Sequence, residues 1–172
     1  MLKIFEGENF NLIYDLLKQS FPISEIRSFN GQKQLLKDSR YKIYCRYCEE
    51  TLVGVICAWH FEGFIFLEHF AVAPEYRNNG IGFSMIKSLL SNSKELAFLE
   101  AEPPQTQLQK RRVNFYERCG FFINDYEYCQ PAFSKDLPAV PLKIMSYGKS
   151  LSFEEFSQIK NLIYKEVYHQ KV

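Results

Sequence analysis

The chain has 172 residues, long enough for one domain with a substantial core. An apolar fraction of 47% and an aromatic fraction of 16% argue for a packed globule, and 21 basic against 20 acidic residues leave no overall field for nucleic acid or an anionic membrane. No apolar run approaches the roughly 20 residues a membrane helix needs, and MLKIFEGENF lacks a signal-peptide pattern, so the expected location is cytoplasmic.

Leu2 to Phe5 reads as a short first strand. Asn9 or Asn11 is placed to cap a helix whose Leu12, Ile13, Leu16 and Leu17 repeat at helical spacing, ending near Phe21-Pro22. A segment bent around proline follows, Phe21-Pro22-Ile23-Ser24-Glu25-Ile26-Arg27, and then a second helix over Gly31 to Asp38. Tyr41–Glu49 and Thr51–Phe61 are strands rich in Tyr, Ile, Val and Cys, joined by a tight turn. With the strand after Glu62-Gly63 they make an antiparallel meander.

Five cysteines, Cys45, Cys48, Cys57, Cys119 and Cys129, are an odd count, which favours reduced thiols. Cys45-Arg46-Tyr47-Cys48 spells C-x-x-C, but on a strand an offset of three sends the side chains to opposite faces. No second pair or histidine pair completes a metal site, and none is expected.

Phe64 to Leu90 is the stretch around which the chain is organised. An apolar strand turns at Ala73-Pro74-Glu75, crosses Arg77-Asn78-Asn79-Gly80-Ile81-Gly82, and enters a helix with Ile81, Met85, Ile86, Leu89 and Leu90 at helical spacing. A glycine-bearing loop at a helix N-terminus is an anion site, because free N–H groups point outward and the dipole adds about half a positive charge. A pyrophosphate fits it. The lysine of a Walker A loop is missing, and Met85 stands at the third glycine place of a dinucleotide fingerprint.

Lys94 to Glu102 reads as a strand parallel to the one before the loop, since a helical crossover separates them. A helix over Gln105–Cys119 ends at Gly120, and Phe121-Phe122-Ile123 starts another strand. Lys110-Arg111-Arg112 reads as a solvated basic face. Cys129 to Pro141, with three prolines, is expected to be a loop, and Leu142 to Ser146 the last strand. Ser152-Phe153-Glu154-Glu155 is a capping box with Leu151 and Phe156 placed as a staple, opening a final helix over about 152–168.

Three of these stretches resemble the GCN5-related N-acetyltransferases. Arg77-Asn78-Asn79-Gly80-Ile81-Gly82 is similar to that family's Arg/Gln-x-x-Gly-x-Gly/Ala loop, which binds the pyrophosphate of acetyl-coenzyme A. Asn114 and Tyr116, ahead of Gly120-Phe121, resemble its Asn-x-x-Tyr-x-x-x-Gly-Phe pattern, with the asparagine at two residues before the tyrosine. Phe21 to Arg27 resembles the Phe-Pro-x-x-Glu-x-Arg segment that borders the acceptor in many members, although a linking turn is an equal reading. The resemblance implies an α/β sandwich whose mixed sheet of about seven strands splays between the fourth and fifth strands. It also implies coenzyme A in that splay and an amine acceptor entering opposite.

On that footing Phe70, Ala71 and Val72 offer backbone N–H groups to the thioester carbonyl, Asn114 meets the pantetheine arm, and Tyr116 donates a proton to the departing sulfur. An amine with pKa near 10 is about 99.9% protonated at pH 7, so freeing it costs roughly 4 kcal/mol. A carboxylate, directly or through water, is the expected acceptor of that proton. Glu68 is the first candidate, with Glu100 and Glu102 as rivals. By alternation Glu68 shares a face with Phe70 and Val72, and His69 points the other way. The expected activity is acetyl transfer from acetyl-coenzyme A to a primary amine of a small molecule or peptide, by a monomer or homodimer. The other readings are a non-catalytic acyl-coenzyme A sensor and an enzyme using a longer acyl group.

Overall fold

A computed structural model describes residues 1–91 and 95–170. They form two compact units, Met1–Ala97 and Phe98–Val172, each built on antiparallel strand pairs.

The first unit opens with β1 (Lys3–Ile4) and α1 (Phe10–Ser20), which buries Phe10, Ile13, Leu16 and Leu17 as their spacing predicts. Asn9 sits at the cap position in left-handed backbone (φ 59°), and its side chain makes no capping bond. A 3₁₀ turn at Ile23–Glu25 leads to α2 (Phe29–Gln34), two residues earlier than expected because the Ser28 hydroxyl accepts the Gly31 N–H. Then come β2 (Tyr41–Cys48), β3 (Thr51–Phe61) and β4 (Phe64–Val72), and β1 to β4 pair antiparallel in order. Helix α3 (Ile81–Leu90) buries Met85, Ile86 and Leu90. Gly54 on β3 is where it comes close: a Cβ there would stand 2.7 Å from the Met85 sulfur.

The register of β3 and β4 slips once. Cys57 faces His69 and Ala58 faces Leu67, so Glu68 has no opposite number on β3. An extra residue of this kind is a β-bulge, and it breaks the alternation of faces. Glu68 and His69 are both buried, at 8% and 3% exposure, where strict alternation separates them.

The strand expected from Lys94 is β5 (Leu96–Ala101); Lys94 itself lies outside the described residues. In the second unit β5 pairs antiparallel with β8 (Val140–Tyr147), and β8 also pairs with β6 (Phe121–Ile123) and β7 (Tyr128–Gln130). Eight strands among the described residues replace the expected seven or so, because Tyr128–Gln130 pairs with Val140–Leu142 inside the proline-bearing stretch. Pro141 stands in β8 opposite Cys129. Helix α4 (Gln107–Arg118) begins at a capping box of Thr106 and Gln109, and Gly120 closes it with φ 101°. Helix α5 (Phe153–Glu166) has the expected box of Ser152 and Glu155, with Leu151 and Phe156 buried. All five cysteines are free thiols; Cys45 is buried and Cys48 exposed.

Asn124 ties this unit together. Its side-chain amide donates to the Ile144 carbonyl and the Ser146 hydroxyl, both at 3.0 Å, and its oxygen accepts the Leu151 N–H at 2.7 Å. Asn124→Ala strands these buried groups at once. It is expected to lower the urea-unfolding free energy by roughly 3 kcal/mol with little change in m-value.

Candidate active site

The Arg77–Gly82 loop lies wholly within the first unit. A 3₁₀ turn at Pro74–Tyr76 carries β4 into the loop, where Asn78 (φ 65°) and Gly80 (φ 73°) take left-handed backbone. A Cβ at Gly80 would meet nothing within 4 Å, so glycine is needed there for its backbone freedom and not for space. The first helical bond runs from the Ser84 N–H to the Gly80 carbonyl, and no side chain caps α3. The N–H groups of Ile81, Gly82 and Phe83 therefore have no intrahelical partner and carry the positive end of the dipole. Arg77 is exposed, and its Nε donates to the Val72 carbonyl at 2.8 Å, which fastens the guanidinium beside the end of β4. Phe70 and Val72 are half-buried and Ala71 is buried; Asn79 is exposed.

The bulge on β4 carries an ionic cluster. Glu68 receives Arg27 on Oε1 and the Trp59 indole N–H on Oε2 at 3.0 Å. Burial pushes its carboxyl up, but Arg27, His69 and these hydrogen bonds outweigh burial and leave it below the usual range. A carboxylate so engaged is a weaker proton acceptor than a free one. His69 donates from Nε2 to the Glu25 carbonyl at 2.9 Å, and the Phe21 ring packs edge-on against it at 5.0 Å. The Tyr14 hydroxyl donates to the Arg27 carbonyl at 3.0 Å. Phe21, the Glu25 carbonyl and Arg27 of the Phe-Pro-x-x-Glu-x-Arg segment thus meet two neighbouring residues of β4. Sequence reasoning assigned Glu68 but missed Arg27, Trp59 and His69 as its company.

The second unit holds the other candidates. Tyr116 on α4 is half-buried, with its ring against Phe115 (5.3 Å) and Phe121 (6.2 Å). Burial pushes its phenol up to about 12, so it stays protonated through the neutral range. Asn114, two residues earlier, is exposed. Glu102 pairs with Arg112, which is exposed, as Lys110 and Arg111 are. Glu100 accepts the hydroxyls of Tyr128 and Tyr168, the latter at 2.7 Å. All three carboxylates considered as bases are engaged.

The family model described as the acetyltransferase (GNAT) family matches residues 10–121, more than half of the chain and spanning the loop and α4. The chain belongs to the GNAT family of acetyltransferases. A putative acetyltransferase of Bacillus subtilis, YjbC, is 32% identical over 63% of this chain and 55% of its own, so the matched chain spans about half of that relative. A putative GNAT acetyltransferase structure from Bacteroides thetaiotaomicron is 27% identical, covers 99% of each chain and superposes with TM-score 0.89. A GNAT structure from Elizabethkingia anophelis with acetyl-CoA bound shares the fold at 16% identity and TM-score 0.60, over 85% of this chain and 97% of that one. The fold is α/β, as the resemblance to this family implies. Among the described residues, no helix is long and apolar enough to cross a membrane.

The ion pair on the bulge sets a testable cost. The Glu68 side chain is 1% exposed and that of Arg27 12%. Arg27→Met leaves the carboxylate buried without its counter-ion, at an expected cost of about 3–5 kcal/mol, whereas Arg27→Met/Glu68→Leu recovers much of it. Because the folded carboxyl is lowered, its stabilisation is full above the ordinary carboxylate pKa and is lost as pH falls through the folded value. Without Arg27 burial holds the carboxyl up, so the cost of Arg27→Met is largest above the ordinary carboxylate range and shrinks as pH falls and Glu68 takes up a proton.

Proposed function

We propose that the chain transfers an acetyl group from acetyl-coenzyme A to a primary amine of a small molecule or peptide. The observation that carries this reading is the uncapped start of α3 behind Arg77, Asn78, Asn79, Gly80, Ile81 and Gly82, in a chain of the GNAT family. Those residues fit a pyrophosphate: N–H donors without helical partners, open space at Gly80, and a fastened arginine. Asn114 is assigned to the pantetheine arm. The coenzyme brings an acetyl thioester, whose carbonyl the N–H groups of Phe70, Ala71 and Val72 polarise.

Tyr116 is assigned the proton that the departing sulfur takes up. Its raised pKa supports donation over ionisation. For the amine's own proton we assign water in place of Glu68, since Arg27 and Trp59 already occupy both of that residue's oxygens. Glu68 then serves to hold the Phe21–Arg27 segment. On this reading kcat/KM rises with pH along the acceptor's own ionisation, without an added inflection from an enzyme carboxylate.

Three measurements test the reading. Calorimetry of acetyl-coenzyme A against Gly82→Asp is expected to show sharply weakened binding, because the change puts a side chain and a negative charge at the loop; equal affinity overturns the proposal. An amine and peptide screen for thiol release then separates an enzyme from an acyl-coenzyme A sensor. On an acceptor found this way, Tyr116→Phe is expected to lower turnover by about 10²-fold at nearly constant coenzyme affinity. Unchanged turnover removes the acid role, and joint loss of binding makes the residue structural.

A further inference from the structure

His69 is the most unusual buried group of the first unit. Its side chain is 2% exposed, and its Nδ1 has no hydrogen-bond partner among the described residues. A carbonyl only accepts, so the 2.9 Å contact with the Glu25 carbonyl assigns the proton to Nε2 and leaves Nδ1 a bare lone pair. That lone pair lies 4.0 Å from Glu68 Oε2, because the bulge brings two consecutive side chains into one buried place.

The same imidazole holds the turn that follows α1. Phe21 packs against it in a T-shaped contact, the Glu25 carbonyl takes its N–H, and the preceding residue of β4 holds Arg27. Between these contacts Ile23 faces outward, 73% exposed. The turn is thus fastened to β4 from one side and presents its other side to solvent.

We propose that His69 is a positioning residue for the Phe21–Arg27 turn, holding it closed in the neutral form and releasing it when a proton enters at Nδ1. That this turn flanks an amine acceptor rests on the acetyltransferase reading; its attachment to His69 does not. The groups facing the ring are the Glu68 carboxylate from β4, Arg27 and the Glu25 carbonyl from the turn, and the Cys57 thiol opposite in register on β3. Burial disfavours the imidazolium most, Arg27 adds to this, and Glu68 and the Glu25 carbonyl oppose it; the net direction is a lowered pKa. In an opened turn the ring is solvated and titrates near its ordinary value. The closed form then binds the proton less well than the open form, so acid favours opening. The sign follows without any assumption about substrate.

Hydrogen exchange on the protein alone tests this. The reporter is the Glu25 N–H, bonded to the Pro22 carbonyl at 2.9 Å, with β2 and β3 amides as the internal standard. After correction for intrinsic exchange, the opening constant is expected to rise by up to about tenfold per pH unit below pH 6.5, as one added proton requires. His69→Gln, which keeps an amide donor toward Glu25 but does not titrate, is expected to be flat over the same range. His69→Phe is expected to expose the reporter at pH 7.5 as well. A flat wild-type profile, or parallel profiles in wild type and His69→Gln, overturns the proposal; full protection in His69→Phe does the same. Acetyl-coenzyme A calorimetry, which reads the α3 loop, reports separately on the function.

Discussion

Much of the first unit depends on a buried carboxylate that is never left alone. Glu68 enters the interior because the β-bulge gives it no place on the β3 face, and a bare carboxylate there would be untenable. Arg27 arrives from a distant segment, and Trp59 from the neighbouring strand supplies its indole N–H. An ion pair of this kind adds little net stability over a well-packed apolar pair. Its value lies in selection: only one placement of the chain after α1 satisfies the charge. The arrangement at the end of β4 is therefore specified by electrostatics where apolar packing alone would tolerate several solutions.

The second unit is closed by hydroxyl and amide hydrogen bonds. Glu100 takes two tyrosine hydroxyls, one from β7 and one from beyond α5, while Asn124 links β6, β8 and the approach to α5. These are long-range closures of short elements. They explain how β6 and β7, with three residues each, persist as strands. Apolar area alone is a poor stabiliser of such pieces; a satisfied buried polar group is a precise one.

What the sequence discloses and what it conceals divide along one line. Features written in a few adjacent residues are legible: the Arg77–Gly82 loop, the Ser152–Glu155 box and the Gly120 stop all appear where their spacing places them. The box of Thr106 and Gln109 was equally readable from its T-x-x-Q spacing, and it sets the start of α4 two residues after Gln105. Features decided by pairing are not. Nothing local to Glu68 and His69 announces a bulge, since the slip is a property of β3 against β4. Pro138 and Pro141 spoke against a strand near β7, yet Pro141 sits in β8 at a pairing that the flanking residues sustain. The site follows the same rule, for the loop was visible and the company of Glu68 was not.

The helices differ in how their first turns are finished. Helices α4 and α5 each carry a reciprocal capping box, whereas α3 has a left-handed glycine and no side-chain acceptor. Glycine in place of a Ser, Thr, Asp or Asn cap costs a helix only about a few tenths of a kcal/mol. The chain is thus left below its attainable thermostability at the place where an anion would supply the missing acceptors. A side-chain cap added here would stabilise the helix and at the same time fill the place an anion would take. An anionic guest, by contrast, would act as an interchangeable cap, completing the helix while bound and leaving it unfinished on departure.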